Sequence, residues 1–226
     1  MKNPRHNAAK SPPTVITMKH SLSLQSQAFR TPEAKADALL ACLADSADHD
    51  YIGEPISQLE HALQAAASGS RVGAPDEVVL AALFHDVGHL IAPDAPQMDG
   101  LGVVSHEELG AELLLEFGCS ENMADLVRCH VEAKRYLCHK NPKYHARLSD
   151  ASRGTLAWQG GPMTSGEAAA FEDKPTFKHI LALRSWDEQA KIVDANVPSL
   201  ASYRAMLIAH LNRHEATNLR TKTAPS

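Results

Sequence analysis

Residues 81–89 read AALFHDVGH, so a histidine and an aspartate directly follow a strongly apolar run. Such a run predicts a buried helix that would carry His85 and Asp86 into the protein interior. Burying these side chains without partners would cost several kcal/mol. A bound cation removes that cost, because imidazole nitrogen and carboxylate oxygen are ligands of iron, manganese and zinc. The segment therefore indicates a metal site built on helices.

The sequence on both sides of this segment also has helical patterns. N-cap residues, apolar spacing and glycines predict helices over 32–47, 56–67, 76–87, 105–118, 121–137, 177–193 and 200–211. Gly69 is predicted to stop the second of these, and a capping box at Ser105 to open the fourth. A second capping box at Thr164 predicts the start of one more helix. No segment combines period-two alternation with β-branched residues, so we expect no strands. The chain is predicted to be all-α, with a single helical-bundle domain over 31–211.

The two ends of the chain differ from this domain. Residues 1–30 contain five basic residues and no Asp or Glu, and their composition predicts a disordered extension. Residues 212–226 are polar and are predicted to form a flexible tail.

Composition excludes several classes of protein. The net charge of −5 gives no basic surface for nucleic acid, and no apolar run approaches the roughly 20 residues that cross a bilayer. The four cysteines form no CxxC pair, which predicts free thiols in a reducing, cytoplasmic compartment. We therefore expect no nucleic-acid or membrane partner, and the sequence gives no indication of the oligomeric state.

Six polar residues follow one another in an order that is typical of a known superfamily. His61, the His85–Asp86 pair and Asp187 resemble the H…HD…D signature of the HD-domain metal-dependent phosphohydrolases. His106 and His130 lie between the pair and the last aspartate, where bimetallic members of that superfamily bind a second ion. Each residue alone is more readily a hydrogen-bonded core or surface residue, but the ordered set favours metal binding.

Four longer segments resemble a narrower group, the HD-domain phosphonate oxygenases. They are residues 51–61, 85–89, 130–138 and 183–187. The resemblance implies two iron ions poised between Fe²⁺ and Fe³⁺. One would be held by His61, His85, Asp86 and Asp187, and the second by His106 and His130 with Asp86 as the bridge. It also implies O₂-dependent cleavage of the C–P bond of a 1-hydroxy-2-aminoethylphosphonate, or of its trimethylammonium analogue, giving phosphate and glycine or glycine betaine.

The phosphonate needs hydrogen-bond donors, and helical spacing offers several. Lys134 lies four residues after His130, and His89 lies four after His85 if the helix continues past Gly88. Further candidate donors are Ser152, Thr155 and Arg184.

The resemblance also implies that Tyr51 occupies an iron site until substrate displaces it, and that Glu54 then meets the substrate amine. Tyr51 and Trp158 are the aromatic candidates for the amine end, and the low aromatic content favours a primary ammonium.

Other functions use the same ligands. An HD-type phosphohydrolase would activate water on two metals to hydrolyse a nucleotide or phosphate ester. An inositol-oxygenase-like enzyme and a non-enzymatic binding domain are further alternatives. The Tyr51/Glu54 loop and the Lys134 segment favour the oxygenase.

Overall fold

The computed structural model describes residues 29–51, 53–92 and 95–223, with side chains as far as residue 216. Its helices are α1 (Pro32–Ala44), α2 (Gln58–Arg71), α3 (Asp76–Phe84), α4 (Gly88–Ile91), α5 (His106–Glu116), α6 (Glu121–Arg128), α7 (His130–Lys140), α8 (Pro142–Arg147), α9 (Asp150–Trp158), α10 (Ser165–Glu172), α11 (Phe177–Gln189) and α12 (Arg204–Thr223), with a 3₁₀ turn at Leu200–Tyr203. Within these ranges there are only two isolated β-bridges and no strand. The all-α prediction is confirmed. Of the extension over 1–30 that is predicted to be disordered, residues 1–28 lie outside the described residues.

Helix α3 is the centre of the bundle. Every residue from Val78 to Phe84 is buried, and the helix packs against α2, α6, α11 and α12. Burying whole aliphatic side chains on all sides stabilises the helix by about 1.5–3 kcal/mol for each large residue. The segment after Phe84 therefore emerges inside the protein, where His85 and Val87 are buried.

Helix α2 begins where its capping box places it and ends later than predicted. The Ser57 hydroxyl accepts from the Glu60 N–H, and the Glu60 carboxylate accepts from the Ser57 N–H. Gly69 lies inside this helix, so the predicted stop there is wrong. A Cβ on Gly69 would lie 3.0 Å from the Trp186 ring. The glycine thus allows α11 to pack closely on α2.

Two predicted helices are interrupted beside candidate metal ligands. The helix predicted over 76–87 ends at Phe84, and a turn over 85–87 leads into α4. A Cβ on Gly88 would lie 1.9 Å from the backbone oxygen of His106, so only glycine allows α5 to begin this close. The helix predicted over 121–137 is divided at Cys129 into α6 and α7.

The remaining predicted boundaries have mixed outcomes. The capping box at Thr164 is confirmed, with Glu167 as its partner. The box predicted at Ser105 is wrong, because Ser105 has a φ of 58° and its side chain makes no capping hydrogen bond. Helix α11 ends at Gln189 rather than at 193, and α12 continues to Thr223 rather than ending at 211. Most of the segment predicted as a tail is therefore helical.

No helix among the described residues is both long and apolar enough to span a membrane.

Candidate metal centre and substrate cavity

The six predicted metal ligands come together in the middle of the bundle. His61 lies in the first turn of α2, His85 and Asp86 follow α3, His106 and His130 begin α5 and α7, and Asp187 lies in the last turn of α11. The four histidines and Asp187 are buried, and the Asp86 side chain is only 13% exposed. Each of the six thus lies in the first or last turn of a helix or directly after one.

Four of these side chains surround a first candidate position for a metal ion. They belong to His61, His85, Asp86 and Asp187. The Nε2 atoms of His61 and His85 are 3.1 Å apart, and Asp187 Oδ1 lies 3.3 Å and 3.8 Å from them. Asp86 Oδ2 lies 3.3 Å from His85 Nε2 and 3.6 Å from His61 Nε2. Metal–ligand bonds of about 2.0–2.2 Å place the ligands of one ion about 3 to 3.5 Å apart. The spacing suits a single transition-metal ion.

The other carboxylate oxygen of Asp86 faces a second pair of histidines, His106 and His130. Asp86 Oδ1 lies 3.4 Å from His106 Nε2 and 3.5 Å from His130 Nε2, and these two nitrogens are 3.1 Å apart. One carboxylate thus turns one oxygen toward each histidine pair. Such an arrangement suits a carboxylate that bridges two ions.

Backbone hydrogen bonds fix which ring nitrogen faces the centre. The Nδ1 atoms of three histidines bond to carbonyl oxygens: His61 to Ala190 at 2.8 Å, His85 to Ala82 at 2.8 Å and His130 to Val127 at 2.7 Å. A carbonyl only accepts, so each Nδ1 carries a proton and, in the neutral ring, Nε2 presents a lone pair. Lone pairs that face each other at 3.1 Å repel unless a cation lies between them. These residues therefore fit a metal ion.

The electrostatics of the site point the same way. Burial opposes a charge on His85, but the carboxylates of Asp86 and Asp187 outweigh burial and raise its pKa. Burial also opposes the charge of Asp187, yet the Arg184 guanidinium and the neighbouring histidines hold its pKa well below the usual range. Two ionised carboxylates at one buried point attract positive charge, which a metal ion supplies.

His89 lies beside the second group but is oriented differently. Its Nδ1 accepts the Val103 N–H at 3.0 Å, so in the neutral ring Nε2 carries the proton and donates. The ring stacks on His106 with centroids 3.9 Å apart, and burial together with the neighbouring histidines lowers its pKa well below the ordinary value. His89 is thus a neutral donor at the edge of the site.

A cavity of about 70 Å³ opens on the histidine and aspartate cluster. All the predicted phosphonate donors line it: His89, Lys134, Ser152, Thr155 and Arg184. The Lys134 ammonium donates to Thr155 Oγ1 at 2.7 Å and has no carboxylate partner among the described residues. Burial and the nearby Arg184 charge lower the pKa of Lys134 to about 7. A buried cation of this kind gains much from a bound anion.

Arg184 is committed to structural partners. It donates to Asp187, to the Tyr144 hydroxyl at 2.9 Å and to Glu188 at 3.3 Å. The guanidinium therefore holds a proposed metal ligand in place while it lines the cavity.

Tyr51 and Glu54, the two residues of the predicted loop, contact different parts of the site. The Tyr51 ring stacks on His61 with centroids 3.8 Å apart, and burial raises the pKa of its hydroxyl. Glu54 forms an ion pair with Lys191 and lines an adjoining cavity of about 390 Å³ instead. Trp158 is 51% exposed and does not line the cavity over the cluster, so its predicted place there is wrong.

Sequence patterns missed further residues of the site. Gln58, Gln159 and Lys191 also line the cavity over the cluster, and Tyr144 holds Arg184. The helical spacing of Gln58 from His61 could have indicated it. For Lys191 no local signal exists, because its position depends on where α11 ends.

A helical domain that gathers an H…HD…D set around one shared aspartate defines an HD-domain protein, and the HD domain model matches residues 58–164. The chain is 42% identical over 168 residues to the [1-hydroxy-2-(trimethylamino)ethyl]phosphonate dioxygenase (glycine-betaine-forming) of Leisingera caerulea, which covers 74% of this chain and 85% of that protein. It is 36% identical over 176 residues to the hydroxymethylphosphonate dioxygenase of Gimesia maris, covering 77% and 87%.

An uncharacterized protein of Acanthamoeba polyphaga mimivirus is 40% identical over 171 residues, covering 75% of this chain and 77% of that protein. The chain belongs to the HD-domain phosphonate dioxygenases. It is an oxygenase with a metal cofactor, and the oxygenase is favoured over the phosphohydrolase.

Proposed function

We propose that the protein uses two iron ions and O₂ to cleave the C–P bond of a 1-hydroxy-2-aminoethylphosphonate or of its trimethylammonium analogue. The products are phosphate and glycine or glycine betaine. Both oxygen atoms of O₂ are retained, one in the new carboxylate and one in phosphate, so no further reductant is required. The observation that carries the proposal is the single aspartate, Asp86, whose two oxygens face separate histidine pairs.

The ligand set supports two redox-active ions. His61, His85, Asp86 and Asp187 would hold one, and His106, His130 and the other oxygen of Asp86 would hold the second. When bound, iron in the Fe²⁺ and Fe³⁺ states supplies the electron transfer that O₂ chemistry needs. The proposed ligands are mostly neutral imidazoles with few carboxylates. Such a set would leave coordination positions on the metal open for substrate.

The cavity residues would bind and orient the phosphonate. Lys134 contributes a charge-assisted donor, and the His89 Nε2–H donates from the side of the second histidine pair. The Thr155 hydroxyl accepts from the Lys134 ammonium at 2.7 Å and donates to the Ser152 carbonyl oxygen at 3.2 Å, so it would orient Lys134. Ser152 lines the same wall one helical turn from Thr155. These donors would hold the C–P bond against the metal centre.

Tyr51 and Glu54 would act on the rest of the substrate. The Tyr51 ring covers His61, so we propose that it shields the first group of ligands until substrate enters. Glu54 offers a carboxylate to a cationic substituent at the entrance. The adjoining cavity of about 390 Å³ has room for either a primary ammonium or a trimethylammonium group, so the preference for the primary ammonium stays a prediction.

We propose a cytoplasmic location for the protein. Its four cysteines are free, and Cys119, Cys129 and Cys138 are buried. Free thiols are typical of a reducing compartment.

Oxygen dependence tests the function directly. Iron-loaded protein is incubated with each hydroxyphosphonate, and O₂ consumption, phosphate and the amino acid are measured together. We expect one phosphate for each O₂ consumed and none under argon. Phosphate release from a phosphate ester without O₂ would instead support the hydrolase.

A further inference from the structure

Lys191 occupies a position between the two cavities. It follows the end of α11 and lines both the cavity over the cluster and the adjoining larger one. Its ammonium contacts Glu54 Oε1 at 2.5 Å and Ser149 Oγ at 3.3 Å, and it lies 5.9 Å from the centre of the Tyr51 ring. A carboxylate and an aromatic face together form a place for a cation, and a residue of the chain itself fills it.

This pairing changes what Glu54 can offer to a substrate. The Glu54 and Lys191 side chains are only 16% and 20% exposed, so the ion pair is screened less than a surface pair. While the pair is closed, the charge of Glu54 is neutralised. A cationic group that approaches Glu54 then meets the ammonium of Lys191, which repels it.

We propose that Lys191 is a specificity-determining residue, and this inference rests on the function proposed above. Its ammonium is the resident partner of Glu54, and a cationic substituent of the substrate binds there only by displacing it. A substrate without a cationic substituent needs no displacement. Lys191 therefore lowers the affinity for cationic phosphonates relative to neutral ones.

The surroundings of Lys191 allow this displacement. Its stem has four carbons with free rotation, and the larger cavity provides space beside it. Glu188 lines that same cavity and lies 3.3 Å from Arg184. The displaced ammonium can therefore move into this cavity, which Arg147 also lines.

The test compares binding of two unreactive ligands that lack the hydroxyl group. These are 2-(trimethylammonio)ethylphosphonate and ethylphosphonate, titrated by calorimetry into the metal-loaded full chain. In Lys191→Met we expect the dissociation constant of the cationic ligand to fall by about fivefold, because removing one partly screened like charge has an effect of this size. That of ethylphosphonate does not fall, because its phosphonate gains nothing from the loss of a cation. Lys178→Met, at an exposed position on α11, is the matched control and changes neither.

A double variant shows whether the effect acts through Glu54. In a Glu54→Gln background, Lys191→Met should no longer favour the cationic ligand. The inference is overturned if Lys191→Met weakens both ligands equally, changes neither, or gives the same gain without Glu54. It is also overturned if neither ligand binds the wild-type protein. The expected binding shift without O₂-dependent phosphate release would refute the proposed function and leave the role of Lys191 intact.

Discussion

Two separate clusters of histidine and carboxylate side chains lie within the described part of this fold. The central one contains the six residues discussed above. The other joins Glu77 of α3 to His210 and His214 of α12. In this second cluster the backbone N–H of Ser120 donates to His210 Nε2 at 3.1 Å, and the Ser120 hydroxyl donates to Glu77.

The difference between the clusters is the use of the ring nitrogens. In the central cluster Nδ1 of His61, His85 and His130 is committed to the backbone, and Nε2 of these rings is left as a lone pair toward its neighbours. In the second cluster the Nε2 lone pair of His210 is already used by Ser120, so the remaining nitrogen of the neutral ring carries a proton. The first cluster is built to bind cations, whereas the second holds α12 against the start of α6.

The largest expected effect comes from the aspartate shared by the two histidine pairs. Asp86→Asn keeps the shape but removes the charge that serves both groups. We expect the affinity for both ions to fall by more than about 100-fold, since loss of even a supporting residue costs 10- to 100-fold. Metal analysis of anaerobically purified protein measures this. An Asp86→Asn protein that retains two ions would contradict the bridging arrangement.

A substitution of Asp187 tests whether the two histidine pairs of the central cluster bind metal separately. Its Oδ1 lies near His61 and His85, and no ion-pair contact joins it to His106 or His130. We therefore expect Asp187→Asn to lose one ion and keep the other. A thermal melt of the variant checks that the fold survives, because Arg184 loses a charged partner. Equal loss of both ions would show that the two sites bind as one.

Lys134 separates anion binding from metal binding. Removing a charge-assisted contact costs about 1.5–3 kcal/mol, so Lys134→Met should weaken phosphonate binding by roughly 10- to 100-fold while metal content is unchanged. Titration calorimetry with Lys178→Met as control measures this. Unchanged affinity would remove Lys134 from the substrate site.

The pH dependence of the same variant gives an independent check. Because the pKa of Lys134 is lowered to about 7, its ammonium is charged below that pH and is lost as the pH rises through it. The advantage of wild type over Lys134→Met should therefore be full below pH 7 and shrink above it. An advantage that does not change with pH would contradict a role for this charge.

A substitution in the second cluster should lower the free energy of unfolding and leave the metal content unchanged. His210→Ala leaves the buried N–H of Ser120 without an acceptor, which costs about 1–3 kcal/mol of unfolding free energy. Urea unfolding measures this loss, and metal content should equal that of wild type. Loss of metal in this variant would break the distinction between the clusters.

Much of the central site was predictable because the order of its histidines and aspartates resembles the H…HD…D signature of a known superfamily. His61, His85, Asp86, His106, His130 and Asp187 were expected together, and the structure brings them together. The helix ends were less predictable. The stop expected at Gly69 is absent because Trp186 packs there, and the break at Cys129 has no local sequence signal.

The sequence by itself determined the helical class, because apolar periodicity is a local property, and its resemblance to a known family indicated the proposed ligands and donors. Only the tertiary structure decided which oxygen of Asp86 faces which histidines, and which carbonyls orient the rings. It also decided that Lys191 meets Glu54, although 137 positions separate them along the chain. Such contacts depend on how helix ends converge, and no local pattern encodes that geometry.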